Sequence, residues 1–310
     1  MNPAALQTLV LALLMAAGFA AGKLGYLDEA ASRGLSKFLV NFVIPALVIS
    51  SMQRPFTPEL RDEAFRALAV AACVYGAAFP LAFLYARLIR AKGPSRASHV
   101  FGAIFPNSAF MGFPVMEALY GRDSLFAASV YNMPFYILAF SVGPYLFAKS
   151  ASREGEARPR LRPSSFATPA ALAACLGFAL FALGAALPPF ILAPMRLLGD
   201  VTTPLSMALI GAILSRARLG GLARNPRLYA TAAYRLILFP AVTYATLAAI
   251  GLRGRDLAMP VVIAAMPVAA NSAILAEAYG GDAETAGSLV FFSTIASLLT
   301  IPLLASLLPA

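Results

Sequence analysis

Two apolar stretches of the sequence each contain a proline followed by an asparagine–serine pair. The first contains Pro106-Asn107-Ser108, and in the second Asn271-Ser272 begins four residues after Pro267. Proline removes a backbone N–H and clashes with the carbonyl four residues earlier, so each pattern predicts a broken helix. Amide and hydroxyl groups beside the positive N-terminal end of a helix suit an anion. The predicted chemistry is therefore non-covalent anion binding.

One such stretch would equally fit a kinked helix whose Asn and Ser side chains bond back to their own backbone. Two of them in matching positions of the chain favour a binding site. The candidate substrate ligands are Asn107, Ser108, Asn271, Ser272, Asn41 and Arg235, and the candidate helix-breaking residues are Pro106, Pro114 and Pro267.

Ionisable side chains inside apolar segments are the next candidates. A buried cation such as Arg235 costs several kcal/mol unless it is paired or hydrated. Arg235 is therefore the counter-charge for an anionic substrate, or it pairs with Glu117 or Glu277, or it extends to the cytoplasmic surface. The two glutamates follow the predicted breaks. They are either sites for a coupling proton or sodium ion, or ordinary residues at the membrane interface.

Three further polar positions have two interpretations each. Asn41 either faces the substrate or bonds to a neighbouring helix. His99 is expected to be a solvated residue at a helix entrance. Asp200, with Thr202 and Thr203, is either a set of ion ligands or an ordinary polar break in a helix.

Motifs for catalysis are missing from the sequence. It has no G-x-x-x-x-G-K-[ST] phosphate loop, no zinc-protease histidine pair and no G-x-S-x-G nucleophile elbow. One histidine and two cysteines are too few for a metal cluster. We therefore expect a protein that is not an enzyme, that uses no ATP and that has no cofactor or metal.

Composition indicates where these residues must lie. The chain has 310 residues, of which 60% are hydrophobic and 12% charged, and its mean hydropathy is +0.77. Soluble domains are roughly a quarter charged, so an ordinary soluble protein is excluded. The net charge of +10 comes mainly from basic residues in short loops, which is typical of membrane topology and not of nucleic-acid binding.

Ten apolar segments can be counted, each close to the roughly 20 residues that cross a bilayer as a helix. They lie near 5–22, 34–52, 64–90, 98–120, 124–148, 166–187, 190–215, 226–251, 256–280 and 284–308. We therefore predict an all-α polytopic membrane protein. The alternative for 5–22, a cleaved signal peptide, lacks a basic stretch before the apolar run.

Loop charges predict the orientation. One set of alternate loops holds sixteen Lys and Arg, and the other set holds seven. The positive-inside rule then places the first set, including a linker at 149–165, in the cytoplasm and both termini outside the inner membrane.

The two halves of the chain resemble each other. Tyr120-Gly121 recurs as Tyr279-Gly280 at an offset of 159 residues, and Phe79-Pro80 recurs as Phe239-Pro240 at an offset of 160. The linker divides the chain into repeats at 1–148 and 166–310, with five segments each. An odd number of segments inverts the second copy, an arrangement typical of secondary transporters that work by alternating access.

The motif around the first break resembles the fourth helix of the auxin efflux carrier family. It reads Pro106-Asn107-Ser108-x-x-x-Gly112-x-Pro114, with Ala118-Leu119-Tyr120-Gly121 after it. Met266-Pro267 and Ala276-Glu277-Ala278-Tyr279-Gly280 resemble the ninth helix of that family, and the resemblance covers essentially the whole chain.

The resemblance implies a fold shared with sodium-coupled bile acid transporters. Helices 3–5 and 8–10 would form a transport domain, and helices 1, 2, 6 and 7 would form a scaffold. The broken helices 4 and 9 would cross, with the substrate beside the crossing.

The function expected from these patterns is secondary active transport of small organic anions, such as mono- or dicarboxylates or auxin-like acids. The nearest alternative is a sodium-coupled, bile-acid-like symporter, and proton coupling is equally open. A channel or an intramembrane enzyme fits less well. The expected partners are the organic anion and the lipid bilayer but no nucleic acid, and a homodimer is compatible with this class.

Overall fold

The computed structural model describes residues 3–152, 167–216 and 224–308, and these residues are overwhelmingly helical. The helices are α1 Pro3–Lys23, α2 Glu29–Phe38, α3 Ile44–Ser51, α4 Pro58–Leu88, α5 Gly93–Ile104, α6 Phe113–Tyr120, α7 Ser124–Tyr131, α8 Met133–Ala151, α9 Pro169–Ala182, α10 Pro189–Asp200, α11 Thr202–Ser215, α12 Pro226–Ala233, α13 Phe239–Ala249, α14 Gly254–Ala264, α15 Ser272–Ala278 and α16 Ala283–Leu307. The described residues contain no strand, only one isolated bridge.

Six helical stretches within these residues are long and apolar enough to cross a membrane. They are Glu29–Ser51, Pro58–Leu88, Ser124–Ala151, Pro189–Ser215, Pro226–Ala249 and Ala283–Leu307, and two shorter apolar helices are Leu9–Lys23 and Pro169–Ala182. The prediction of an all-helical, multi-pass membrane protein is thus confirmed. Of the predicted linker 149–165, residues 153–165 lie outside the described part of the chain.

Three π-helical turns join consecutive α-helices. Leu39–Val43 joins α2 to α3, Ser108–Gly112 leads into α6, and Tyr234–Leu238 joins α12 to α13. Such turns are rare and are often found at functional sites, because they change which face of a helix meets its neighbours. All three π-helical turns of the described residues contain a residue singled out from the sequence: Asn41, Ser108 and Arg235.

Helices α1 and α11 pack backbone to backbone. A Cβ added at Gly18 would lie 2.0 Å from the carbonyl oxygen of Ala208, and one added at Gly211 would lie 1.9 Å from that of Met15. Only glycine permits this approach, which replaces side-chain interdigitation by close contact between main chains, as is common between membrane helices. These two helices therefore form a tightly joined pair.

Candidate substrate site at the helix crossing

The site is built where two interrupted helices meet. The first is interrupted between α5 and the π-helical turn at 108–112, and the second between α14 and α15. The amide of Asn107 donates to the carbonyl of Pro267 at 2.7 Å, and the amide of Ala269 donates to the carbonyl of Phe105 at 3.1 Å. Pro106 thus lies opposite Val268 in an antiparallel bridge. Each break thus supplies a carbonyl that accepts a hydrogen bond from a backbone amide of the other break.

A further contact supports the second break. The amide of Val268 donates to the hydroxyl oxygen of Ser293 on α16 at 3.0 Å. That hydroxyl in turn donates to the carbonyl of Leu289 at 2.6 Å. Because an unpaired N–H costs free energy when buried, these side-chain contacts allow irregular backbone at this depth.

Arg235 lies at the centre of the crossing and is completely buried. Its Nη1 donates to the carbonyl of Ala103 at 2.9 Å and its Nη2 to that of Ala264 at 2.8 Å. The carbonyls of Ile104 and Met266 accept from the same guanidinium at 3.3 and 3.1 Å. Its five N–H donors therefore cap the C-terminal ends of α5 and α14 together.

This geometry corrects two of the three interpretations of Arg235 drawn from the sequence, the ion pair with a glutamate and the extension to the cytoplasmic surface. In the described part of the chain the guanidinium pairs with no carboxylate, so it is not bonded to Glu117 or Glu277. It is buried, so it does not extend to a surface. Its guanidinium hydrogen-bonds to four backbone carbonyls, and its role as a counter-charge for a substrate stays a prediction.

The contacts of Arg235 with these carbonyls also determine the electrostatic potential at the crossing. Each helix carries about half a negative charge at its C-terminal end and half a positive charge at its N-terminal end. Two C-terminal ends meet here, and Arg235 places a full positive charge against both. The N-terminal ends of the following helical segments keep their positive potential, which suits an anion.

Several donors at the crossing have no acceptor in the part of the chain that the structure describes. Asn107 and Asn271 occupy the N-cap positions of their helical segments, yet neither side chain caps a backbone N–H. The Nδ2 of Asn107 and the hydroxyls of Ser108 and Ser272 are buried and without a hydrogen-bond partner among the described residues. Such groups are costly unless a ligand or water completes them.

A small pocket brings the two asparagines together. It is lined by Val40, Ile44, Asn107, Ala109, Phe110, Phe135, Tyr136, Phe140, Ala170, Ala269, Ala270 and Asn271, and this set is called the crossing pocket below. Its volume is about 20 Å³, which is room for about one water molecule. The pocket is therefore nearly closed in this conformation. The sequence analysis did not predict the aromatic lining, because phenylalanines at helical spacing are typical of an ordinary hydrophobic core.

The other candidate residues are dispersed. Glu117 lies on α6 and accepts from the hydroxyl of Thr203 on α11 at 3.1 Å. Glu277 is exposed. Asp200 forms an ion pair with Arg122. The described residues contain no group of three His, Cys, Asp or Glu side chains that could hold a metal ion.

Two predicted site residues lie elsewhere than expected. Asn41 is exposed, and its Nδ2 donates to the carbonyl of Lys37 one turn earlier at 2.8 Å, so the structure does not bring it to the crossing. Pro114 lies in α6, directly after the π-helical turn at 108–112, and the backbone stays helical through both elements, so the helix is not interrupted there. The break lies at Pro106.

His99 is buried and not solvated as expected. Its Nδ1 lies 2.7 Å from the hydroxyl of Thr231, and the hydroxyl of Tyr85 lies 2.9 Å from the same oxygen. Thr231 donates its own proton to the carbonyl of Arg227 at 2.8 Å. The hydroxyl oxygen is left to accept from both neighbours, so the geometry assigns the Nδ1–H tautomer to a neutral His99.

Comparisons with known proteins identify the family of this chain. The model of a family described as membrane transport protein matches residues 4–305. An uncharacterised transporter of Methanothermobacter thermautotrophicus is 27% identical over 301 residues, covering 96% of this chain and 95% of its own. A second from Methanocaldococcus jannaschii is 23% identical over 303 residues, covering 95% and 96%. The chain therefore belongs to the membrane transport protein family, which confirms its resemblance to the auxin efflux carriers.

Proposed function

We propose that this protein is a secondary active transporter that carries small organic anions across the inner membrane by alternating access. The observation that carries the proposal is the crossing itself. Arg235 caps the negative helix ends, and the buried donors of Asn107, Ser108 and Ser272 have no acceptor in the described ranges. A carboxylate is an acceptor of the right charge for such a place.

The lining of the crossing pocket supports a small carboxylate. Asn107 and Asn271 supply amide donors, and the other lining residues, such as Phe110 and Phe135, are apolar except for the hydroxyl of Tyr136. None of the described residues that line the pocket carries a carboxylate that would repel an anion. Amides can bind a carboxylate without the desolvation penalty of an additional buried charge. Mono- and dicarboxylates, including auxin-like acids, fit this description.

The proposed mechanism needs movement, because a pocket of about 20 Å³ cannot hold a carboxylic acid. We infer ten membrane-spanning segments in a 5+5 inverted repeat, with both termini outside. Helices 3–5 and 8–10 would move against a scaffold of helices 1, 2, 6 and 7. The close packing of α1 on α11, which belong to helices 1 and 7, supports a rigid scaffold. Assembly as a homodimer through this scaffold is compatible with such movement.

The coupling ion would be a proton or sodium, and Glu117 is the better-placed carboxylate. It bonds to Thr203 and so connects a proposed transport helix to a proposed scaffold helix. A charge change there would alter a contact between the two moving parts. Glu277 is exposed and makes no such connection.

The test is uptake of radiolabelled carboxylates into liposomes containing the purified protein. Parallel samples would have a proton gradient, a sodium gradient or neither, and none would contain ATP. We expect uptake of at least one small carboxylate that depends on one gradient. Dependence on sodium alone would identify the sodium-coupled symporter, and dependence on pH would identify proton coupling.

Two glutamate variants form a matched pair in this assay. Glu117→Gln should change the dependence on the driving gradient, and Glu277→Gln should not. Uptake that requires internal ATP, or that continues unchanged down a concentration gradient at channel-like rates, would contradict the proposal.

A further inference from the structure

A second cavity lies beyond the end of α3, away from the crossing. Its volume is about 380 Å³, far larger than that of the crossing pocket. Arginines and aspartates from three parts of the chain line it: Arg54, Arg122, Asp123, Arg196 and Asp200. We call this cavity the arginine vestibule.

Two ion pairs span the arginine vestibule. Arg54, just after α3, donates through Nη1 to Oδ1 of Asp123 at 2.6 Å. Arg122 donates to Asp200 at the end of α10. Both aspartates are thereby engaged with an arginine. Arg196 on α10 has no carboxylate partner in the described ranges. Three cations against two anions leave the vestibule with one uncompensated positive charge.

An amide group in the wall is also incompletely bonded. The Oε1 of Gln53 accepts from the amide of Leu187 at 2.7 Å. Its Nε2 is buried and has no acceptor among the residues that the structure describes. The vestibule therefore has an uncompensated cation complementary to a carboxylate, and an unused amide donor is buried in its wall.

The arginine vestibule and the crossing pocket lie along one helical stretch. Ile44 lines the pocket, and Leu47 lines the vestibule three residues later on α3. Three residues of α-helix correspond to about 4.5 Å along the axis. The linings of the two cavities therefore come within about one helical turn of each other along α3.

We propose that the arginine vestibule is a second, weaker binding site for a carboxylate, centred on Arg196. This inference rests on the proposed function for its biological meaning, but the binding itself does not depend on transport. In the proposed orientation, the vestibule opens to the outside. Its excess charge would raise the local concentration of anions at the approach to the crossing.

The experiment measures binding of radiolabelled malonate, a small dicarboxylate, to the purified protein in detergent at low ionic strength. Arg196→Gln should weaken this binding about 5- to 10-fold, and Arg196→Lys should retain most of it because the charge is kept. Arg253→Gln is the matched control, since Arg253 is exposed and does not line the vestibule. Raising the salt concentration should also weaken binding, because the site is open to solvent.

Wild-type affinity in Arg196→Gln, or equal loss in Arg253→Gln, would overturn the proposal. So would the absence of malonate binding to the wild-type protein at tens of millimolar. Asn107→Ala separates the two sites. If Asn107→Ala leaves both malonate binding and uptake unchanged while Arg196→Gln weakens binding, the vestibule site is supported and the proposed crossing site is contradicted. If Asn107→Ala weakens binding and uptake while Arg196→Gln changes neither, the crossing site is supported and the vestibule site is contradicted.

Discussion

The two helix breaks meet at one point but differ in length and surroundings. Three residues separate α5 from the π-helical turn at 108–112, and seven separate α14 from α15. The short break buries Asn107 to 3% exposure, and the long break leaves Asn271 half-buried. The first break is thus the more rigid donor site. The second has more backbone that can adjust when a ligand arrives.

Arg235 is the feature that both breaks share, so its removal should have the largest effect. Arg235→Gln would leave several C-terminal carbonyls without a donor, and we expect a loss of about 3–5 kcal/mol in the free energy of unfolding. Circular dichroism during heating in detergent measures this. Arg87→Gln, at an exposed arginine of α4, is the control. Equal melting of the Arg235 and Arg87 variants would show that the carbonyls need no cap.

Substrate affinity distinguishes the two asparagines. Asn107→Ala removes a buried donor that no described residue satisfies, so affinity should fall by about 5- to 150-fold, equivalent to about 1–3 kcal/mol. Asn271→Ala should cost less, because its half-buried amide can be replaced by water. Binding of the transported carboxylate in detergent measures both. Thermal stability should stay unchanged in each variant, and unfolding of either would favour a purely structural role.

Ser293 tests the backbone of the second break alone. Ser293→Ala removes the acceptor for the amide of Val268, and leaving that buried N–H unpaired should cost about 1–3 kcal/mol of stability. Among the described residues the first break has no such side-chain acceptor, and the amides of Ala269 and Asn107 both keep their bonds across the crossing, so hydrogen exchange should accelerate most at Val268. Uniform acceleration across both breaks would mean that they open as one unit.

The exposed pair of Arg54 and Asp123 gives the smallest effect and a baseline for charges outside the crossing. The hydrogen bond and charge of Arg54 lower the pKa of Asp123. The carboxylate therefore stabilises the fold above its ordinary pKa, and this contribution is lost as the pH falls through the lowered pKa. The difference in melting temperature between wild type and Asp123→Asn should be small at pH 7 and shrink further below about pH 4. A difference that grows on acidification would contradict this assignment.

The breaks could be predicted from the sequence because proline has one dominant effect inside a helix. Pro106 and Pro267 lie in the breaks, and an asparagine occupies the N-cap after each. The role of Arg235 could not be predicted in the same way. Sequence patterns pair a buried cation with a carboxylate, but here the breaks themselves create the acceptors. The available signal was two predicted helix ends with unpaired carbonyls and a single arginine inside an apolar segment.

Positions that depend on helix rotation were the least predictable. Asn41 belongs to the predicted second helix, but it lies in a π-helical turn, Leu39–Val43, that shifts the helical phase. Its side chain consequently faces outward. His99 was expected at a solvated helix entrance, and packing against Tyr85 and Thr231 buries it. Neither outcome follows from local composition, because both depend on how neighbouring helices are rotated.

The π-helical turn at Tyr234–Leu238 has a consequence for changes in chain length. Such a turn contains one residue more than an α-helical turn, and each residue of an α-helix turns its side chain by about 100°. The extra residue lets Arg235 face the crossing while Ile237 and Leu238, at 62% and 54% exposure, face outward. Deleting one residue here would restore a continuous α-helix and rotate either the arginine or all of α13 out of place. This helix should therefore tolerate many substitutions but no single-residue deletion.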